Sequence, residues 1–316
     1  MTGGILPLDK EPDMSTERRT LPPEAVDLYT RYVHGEVTRR DFLQGLKRFS
    51  VLGLTAGALA DALMPNYALG QQVSKGDERI KASYVTVPSP QGNGSIKGYF
   101  VRPASADTRD VTPAKLPGIL VVHENRGLNP HIEDIARRLA LANFNAFAPD
   151  ALTSVGGYPG DDYKGGQMFA KVDNAKKLED FVAAALWLKA RPDGNGKIGV
   201  TGFCYGGGIS NTLAVRLGPD LAAAVPFYGG APPAADVPKI KAAILVQHGA
   251  LDTRLVEAWP AYEAALKAAS VPYEGHIYPA AVHGFNNDAT PERYNKAAAD
   301  EAWQRTVAWF NKYVRG

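Results

Sequence analysis

The chain has a single cysteine, Cys204, among its 316 residues. That excludes an internal disulfide and a cysteine-rich metal site, so the thiol has to be explained by packing or by chemistry. Net charge is also scarce, at +2, and a chain without a broad basic field is not expected to take nucleic acid as a partner. No run approaches the roughly 20 apolar residues of a transmembrane helix, so no membrane span is expected. Internal repeats and low-complexity tracts are absent. What is present is an ordinary globular composition, 45% hydrophobic and 22% charged, with length enough for one large α/β domain and a sizeable core.

The cysteine stands in KIGVTGFCYGGG, Lys197 to Gly208. Ile198, Val200 and Phe203 suit a buried strand, and ISNTLAVRL after the glycines suits a helix. Gly202-x-Cys204-x-Gly206 is the spacing of the nucleophile elbow of α/β-hydrolases, with cysteine where serine is usual. Glycines two before and two after the nucleophile remove Cβ atoms that would clash where a strand turns sharply into a helix. The helix N-terminus then favours thiolate over thiol. The alternative is a small buried hydrophobe before a glycine-rich turn.

The rest of the chain alternates between strand and helix patterns. Ala82 to Val87 and Ile96 to Val101 read as an antiparallel pair at a sheet edge, and Pro103 to Pro117 as a polar loop. Gly118 to His123 reads as a central parallel strand, and Asn129-Pro130 as the start of a helix reaching about Ala142. Phe144 to Ala148 is the next strand. Residues 151–171 hold five glycines and no periodicity, so a long pocket wall or lid is expected there, with Tyr158 and Tyr163 as substrate contacts or as anchors of the loop. A helix over Asn174 to Lys189 precedes the elbow. Strands Ala222 to Phe227, Ala243 to His248 and Tyr273 to Tyr278 follow, with helices Pro260 to Ala269 and Arg293 to Tyr313. In the last helix Trp303, Val307 and Phe310 form a stripe assigned to the core. This rhythm predicts a mostly parallel sheet flanked by helices.

Residues 1–20 are polar and irregular and are expected to be mobile. A helical pattern begins at Pro22. Thr38-Arg39-Arg40-Asp41-Phe42-Leu43 then looks like a twin-arginine export signal, with Ala68-Leu69-Gly70 as a cleavage site and a mature start near Gln71. Against export stand the long region before the arginines, Asp61 inside the apolar run, and the helical spacing of Phe42, Leu46, Phe49 and Gly53. The two readings of residues 1–70 are a twin-arginine signal leading to the periplasm, and a retained helical arm in the cytoplasm that packs on the domain or on a second copy in a homodimer.

A cysteine nucleophile needs a base, and the base needs an orienting carboxylate. In this fold the order along the chain is nucleophile, acid, histidine. Asp252 follows the strand ending at His248 and His283 follows the strand ending at Tyr278, so both stand in the required order. Alone, Asp252 reads equally as a turn former and His283 as a structural histidine. His34, His123, His131, His248 and His276 do not follow the last strand in a loop, and none of them has metal-ligand spacing with a carboxylate. No metal and no cofactor are expected.

With these residues placed, the chain from about residue 80 to its end resembles the dienelactone hydrolase family, most specifically in Gly-Phe-Cys-Tyr-Gly-Gly-Gly. The resemblance implies that Glu124 contacts the resting thiol and takes part in its activation, as a carboxylate beside a thiol raises both pKa values; pairing with Arg126 is the alternative. The backbone N–H groups of Asn125 and Tyr205 would form the oxyanion hole. Dienelactone hydrolases hold the substrate carboxylate with two arginines, and the matching positions here are Ser154 and Asn287. That puts dienelactone itself in doubt and leaves Arg126 as the candidate anion clamp.

The sequence therefore predicts an α/β-hydrolase domain over residues 71–316 behind an N-terminal extension. Its activity would be hydrolysis of a small carboxylic ester or lactone through Cys204, His283 and Asp252, with Arg126 and Tyr158 contacting the substrate. A thioesterase or aryl esterase is the enzymatic alternative. A redox sensor using a sulfenic acid on Cys204, or a binding protein on the same fold, is the non-enzymatic one.

Overall fold

A computed structural model describes residues 22–33, 36–52, 55–67, 70–107 and 115–315. The expectations for residues 1–20, His34, Gly53, the Ala68-Leu69 part of the cleavage site and the middle of the loop after Pro103 lie outside the described residues.

The sheet begins with two long strands, β1 (Ile80–Ser89) and β2 (Gly94–Pro103), paired antiparallel from Ile80 opposite Pro103 to Ser89 opposite Gly94. Then come β3 (Leu116–Val122), α4 (Pro130–Leu141), β4 (Asn145–Asp150), α5 (Asp162–Phe169), α6 (Asn174–Lys189), β5 (Gly194–Phe203) and α7 (Tyr205–Leu217). The chain finishes with β6 (Ala223–Phe227), β7 (Ala243–Gly249), α8 (Thr253–Ala268), β8 (Tyr273–Tyr278) and α9 (Lys296–Val314). The strands form one eight-stranded sheet in the order β1-β2-β4-β3-β5-β6-β7-β8. β2 also runs antiparallel to β4, and all the later pairings are parallel.

Two apolar layers explain why the central strands are hydrophobic throughout. Ile119 and Val121 point into a layer completed by Ile132 and Ile135 of α4 and by Trp309 and Phe310 of α9. Leu120 and Val122 point the opposite way, into a layer completed by Phe181 of α6, Leu213 of α7 and Trp259 of α8. A strand covered on both faces needs apolar residues at every position, because alternate side chains leave by opposite faces. Trp303 and Val307 pack against the first layer beside Phe310, so the stripe in the last helix belongs to the core.

Three expectations about elements need correction. Residues 151–171 are not structureless: they hold a short 3-10 turn, Thr153–Val155, and the helix α5. The cap that starts α5 is Asp161, whose side chain accepts the N–H of Lys164 at 2.7 Å, while Gly165 and Gly166 inside the helix hide its periodicity. Helix α8 starts at Thr253 rather than at Pro260, which lies inside it. Helix α9 starts at Lys296, where Asn295 accepts the N–H of Ala298.

Before the sheet come three short helices, α1 (Pro23–Val33), α2 (Arg39–Leu46) and α3 (Ala56–Leu63). Their buried faces meet in a small core of Ala25, Val26, Leu28, Tyr29, Phe42, Leu46, Leu59 and Leu63. The N–H of Asn66 donates to the carbonyl of Ala289 at 2.5 Å, tying the end of this arm to the loop before α9. Among the described residues no helix is long and apolar enough to cross a membrane.

Candidate active site

Cys204 sits at the corner between β5 and α7 with φ 56° and ψ −112°. A positive φ at a residue with a Cβ costs about 1–3 kcal/mol and is kept only where the surroundings enforce it. The enforcement is visible on both sides. A Cβ on Gly202 would stand 2.1 Å from the carbonyl oxygen of Gly206, and a Cβ on Gly206 would stand 2.2 Å from that of Val122. The corner is also pinned from below, where the N–H of Cys204 donates to the carbonyl of Phe227 at 3.1 Å.

Asp252 and His283 follow β7 and β8 and meet at this corner. Nδ1 of His283 is 2.5 Å from Oδ2 of Asp252, with both side chains buried. Asp252 stands at the N-cap of α8, yet its side chain makes no capping bond. Its carboxylate is committed to the imidazole instead. Burial works to raise the pKa of Asp252, but the hydrogen bond and charge of His283 hold it below the ordinary carboxylate value. For His283, burial works to lower the pKa. The Cys204 sulfur, followed by hydrogen bonds to Asp252 and to Cys204, overcomes this and raises it to about 10.

Glu124, Asn125 and Arg126 follow β3 at the same edge of the sheet. Glu124 is buried; the nearest carboxylate contact of Arg126 is Nη1 to Oδ2 of Asp162 at 3.8 Å, and the charge of Glu124 also acts on the guanidinium. Tyr228 lies on the other side, its phenol pushed well above its ordinary pKa by burial first and then by the charges of Glu124 and Cys204. Tyr205 is the first residue of α7, so its N–H is one of the four at the helix start without an intrahelical acceptor.

Cys204, Tyr205, Asn125 and Arg126 line one open cavity of about 830 Å³. A second cavity of about 960 Å³ lies between α1 and the far side of Asp252 and His283. Tyr158 does not line the first cavity, which corrects its expected substrate contact. Its hydroxyl donates to Asp162 at 2.8 Å and its N–H to Asp150 at 2.8 Å, so it anchors the loop. Tyr163, in α5, does line the cavity.

The other histidines are engaged locally. His123 accepts the N–H of Ala151 at 3.0 Å and stands 2.5 Å from the carbonyl of Glu124, while burial keeps its pKa low. His248 is held down to about 4, mainly by burial. His131 pairs with Asp288 at 3.1 Å and His276 with Glu274 at 3.3 Å. Among the described residues no group of three or more His, Cys, Asp or Glu is placed to hold a metal ion.

Among the cavity residues that sequence reasoning missed are Tyr32, Lys177, Tyr228 and Arg254. Tyr228 carried a signal, since Tyr228-Gly229-Gly230 follows β6 at the same edge of the sheet as the elbow. Arg254 stands two residues after Asp252, in the first turn of α8, whereas the sequence pattern puts the start of that helix at Pro260. Lys177 and Tyr32 carried none, because a lysine in an amphipathic helix reads as surface and Tyr32 precedes the domain.

A model of the dienelactone hydrolase family matches residues 96–314, and a second, described as YqhI-like, matches residues 14–48. A hydrolase fragment of Escherichia coli (strain K12), provisionally named as such, is 54% identical over 120 residues, 38% of this chain and 97% of the fragment. A protein of the same organism provisionally named carboxymethylenebutenolidase is 33% identical over 253 residues, covering 75% of this chain and 89% of its own length. A crystal structure from Klebsiella pneumoniae, provisionally described as a dienelactone hydrolase, superposes with a TM-score of 0.64 at 32% identity, over 74% of this chain and 99% of that one.

Proposed function

Since the chain belongs to the dienelactone hydrolase family and is a hydrolase of that kind, we propose that it cleaves small carboxylic esters or lactones through a Cys204-His283-Asp252 triad. One observation carries this reading: Cys204 is held at positive φ on the strand-to-helix corner, facing an imidazole whose other nitrogen is 2.5 Å from Asp252.

In this reading the Cys204 thiol gives its proton to His283, and the thiolate attacks the ester carbonyl carbon and forms a C–S bond. Negative charge moves to the carbonyl oxygen, which accepts hydrogen bonds from the N–H groups of Tyr205 and Asn125. The C–O bond to the leaving group then breaks, and His283 gives its proton to the departing alkoxide. Water next attacks the thioester carbonyl while His283 takes a proton from that water. The C–S bond breaks, the acid leaves, and the sulfur returns beside the protonated imidazole. Asp252 holds Nδ1 so that Nε2 is the nitrogen that exchanges the proton. Glu124, whose charge acts on Tyr228 together with that of Cys204, takes part in activating the resting thiol. In a lactone the leaving alkoxide stays joined to the acyl group, so the product is one hydroxy acid. Thioesters and aryl esters fit the same chemistry.

The test is hydrolysis of a panel of 4-nitrophenyl acetate, aryl esters, thioesters and lactones by wild type, Cys204→Ala and His283→Ala. Loss of at least about a thousandfold in kcat/KM in both variants is expected. A Cys204→Ala protein as active as wild type would sink the assignment.

A further inference from the structure

The proposed chemistry uses nothing before β3, yet the N-terminal arm reaches the cavity. Tyr32 at the end of α1 and Val37 just before α2 line it together with Cys204. The ring of Tyr32 stacks on Phe42 with centroids 4.6 Å apart and, on the cavity side, on Tyr163 at 6.5 Å with planes 16° apart. The guanidinium of Arg39 lies 5.1 Å from the centre of the same Tyr163 ring.

Further contacts fix the arm in place. Tyr29 has the guanidinium of Arg126 at 5.9 Å and that of Arg293 at 4.8 Å from its ring centre. The hydroxyl of Tyr67 donates to Asp162 at 2.7 Å, and that carboxylate faces Arg126. Val282, next to His283, packs on the apolar core of the arm. Helices of 8 to 11 residues such as these are marginal by themselves in water. Here they are held by contacts to both halves of the site.

We propose that the arm is a fixed wall of the substrate cavity and that Tyr32 and Val37 select the acyl group presented to Cys204. They select by size: Tyr32, with Phe42 and Tyr163 stacked on it, closes the arm side of the cavity to bulky groups. Selection of an acyl group rests on the hydrolase reading; the wall itself does not. A cut after Gly70 would remove both residues, so the stretch that resembles an export signal belongs to the working enzyme.

Because Cys204 is the only thiol in the chain, its labelling reports the opening of the cavity without any turnover. In the full-length protein, Tyr32→Ala should speed labelling by N-(1-pyrenyl)maleimide about tenfold and change labelling by iodoacetamide less than about threefold; Val37→Trp should slow the pyrenyl reagent, and Tyr32→Phe should match wild type. With esters, Tyr32→Ala should raise kcat/KM for 4-nitrophenyl benzoate about tenfold and leave that for the acetate within about threefold. Equal changes with both reagents, or none with either, would overturn the wall. Equal changes in kcat/KM for both esters would overturn the size selection. A wild type that turns over no ester would overturn both the hydrolase reading and the size selection, while the labelling rates still decide the wall.

Discussion

Oδ2 of Asp252 stands 2.5 Å from Nδ1 of His283 with both side chains buried, and the aspartate makes no capping bond to the helix it begins. The imidazole is thereby turned so that its remaining nitrogen faces Cys204. This relationship makes the charge state of His283 depend on two neighbours.

His283 is raised to about 10 against the pull of burial, and Cys204 is the largest raising influence. Removing the sulfur in Cys204→Ala should therefore let the imidazole titrate at a lower pH, and Asp252→Asn should lower it as well. The check is a proton-detected NMR titration of the His283 ring in each protein. An unchanged titration in Cys204→Ala would contradict the pairing.

The glycines at the elbow should differ sharply in tolerance. Gly206→Ala places a methyl 2.2 Å from a backbone oxygen, whereas the nearest atom to a methyl on Gly208 is 3.8 Å away. Gly206→Ala should cost about 3 kcal/mol of stability or prevent folding, and Gly208→Ala, inside α7, should be neutral or stabilise by up to about 1 kcal/mol. Urea denaturation of both variants decides it; similar costs would show that the close approach at Gly206 is not what fixes the turn.

Three basic residues line the cavity, Lys177 and the two arginines Arg126 and Arg254. Arg126 is buried against Asp162 and Tyr29, and Arg254 is the more exposed. Arg126→Gln and Arg254→Gln should each raise KM for a carboxylate-bearing ester about tenfold while a neutral ester of the same size stays within about threefold. Equal effects on both esters would remove these residues from substrate recognition.

Lys177 is buried, donates from Nζ to the carbonyl of Phe169 at 3.0 Å and lies over that ring at 3.5 Å. Burial pushes its pKa down to about 8 from 10.5. Between those values the folded chain holds fewer protons than the unfolded one, so this residue's contribution makes stability rise with pH across that window. Relative to Lys177→Met, wild type should therefore gain stability between pH 8 and about 10. Denaturation midpoints of the two proteins over that range test it, and a constant difference would contradict it.

Much of the fold could be read from the chain because its signals are local. The apolar run at β3, the cap and proline at Asn129-Pro130 and the spacing along α6 each specify one element without reference to the rest. The elbow was legible for the same reason: Gly202 and Gly206 meet their clash partners within a few residues or on the adjacent strand. Asp252 and His283 could be placed by their order after β7 and β8. What was not legible depends on contacts between distant segments. Tyr158 is turned to Asp162 rather than to the cavity, and Tyr32 reaches Tyr163 from 131 residues away. The start of α8 is not legible because Pro260 reads as a first helical residue, while Asp252 sits at the cap without making a side-chain capping bond.

The central claim is a covalent thioester on Cys204. Wild type is mixed with excess 4-nitrophenyl acetate, quenched in acid during turnover, and read by intact-protein and peptide mass spectrometry. The account predicts one added acetyl group, located on the peptide containing Cys204, removed by neutral hydroxylamine and absent from Cys204→Ala. Steady turnover with no adduct on that peptide, together with undiminished activity in Cys204→Ala, would contradict it.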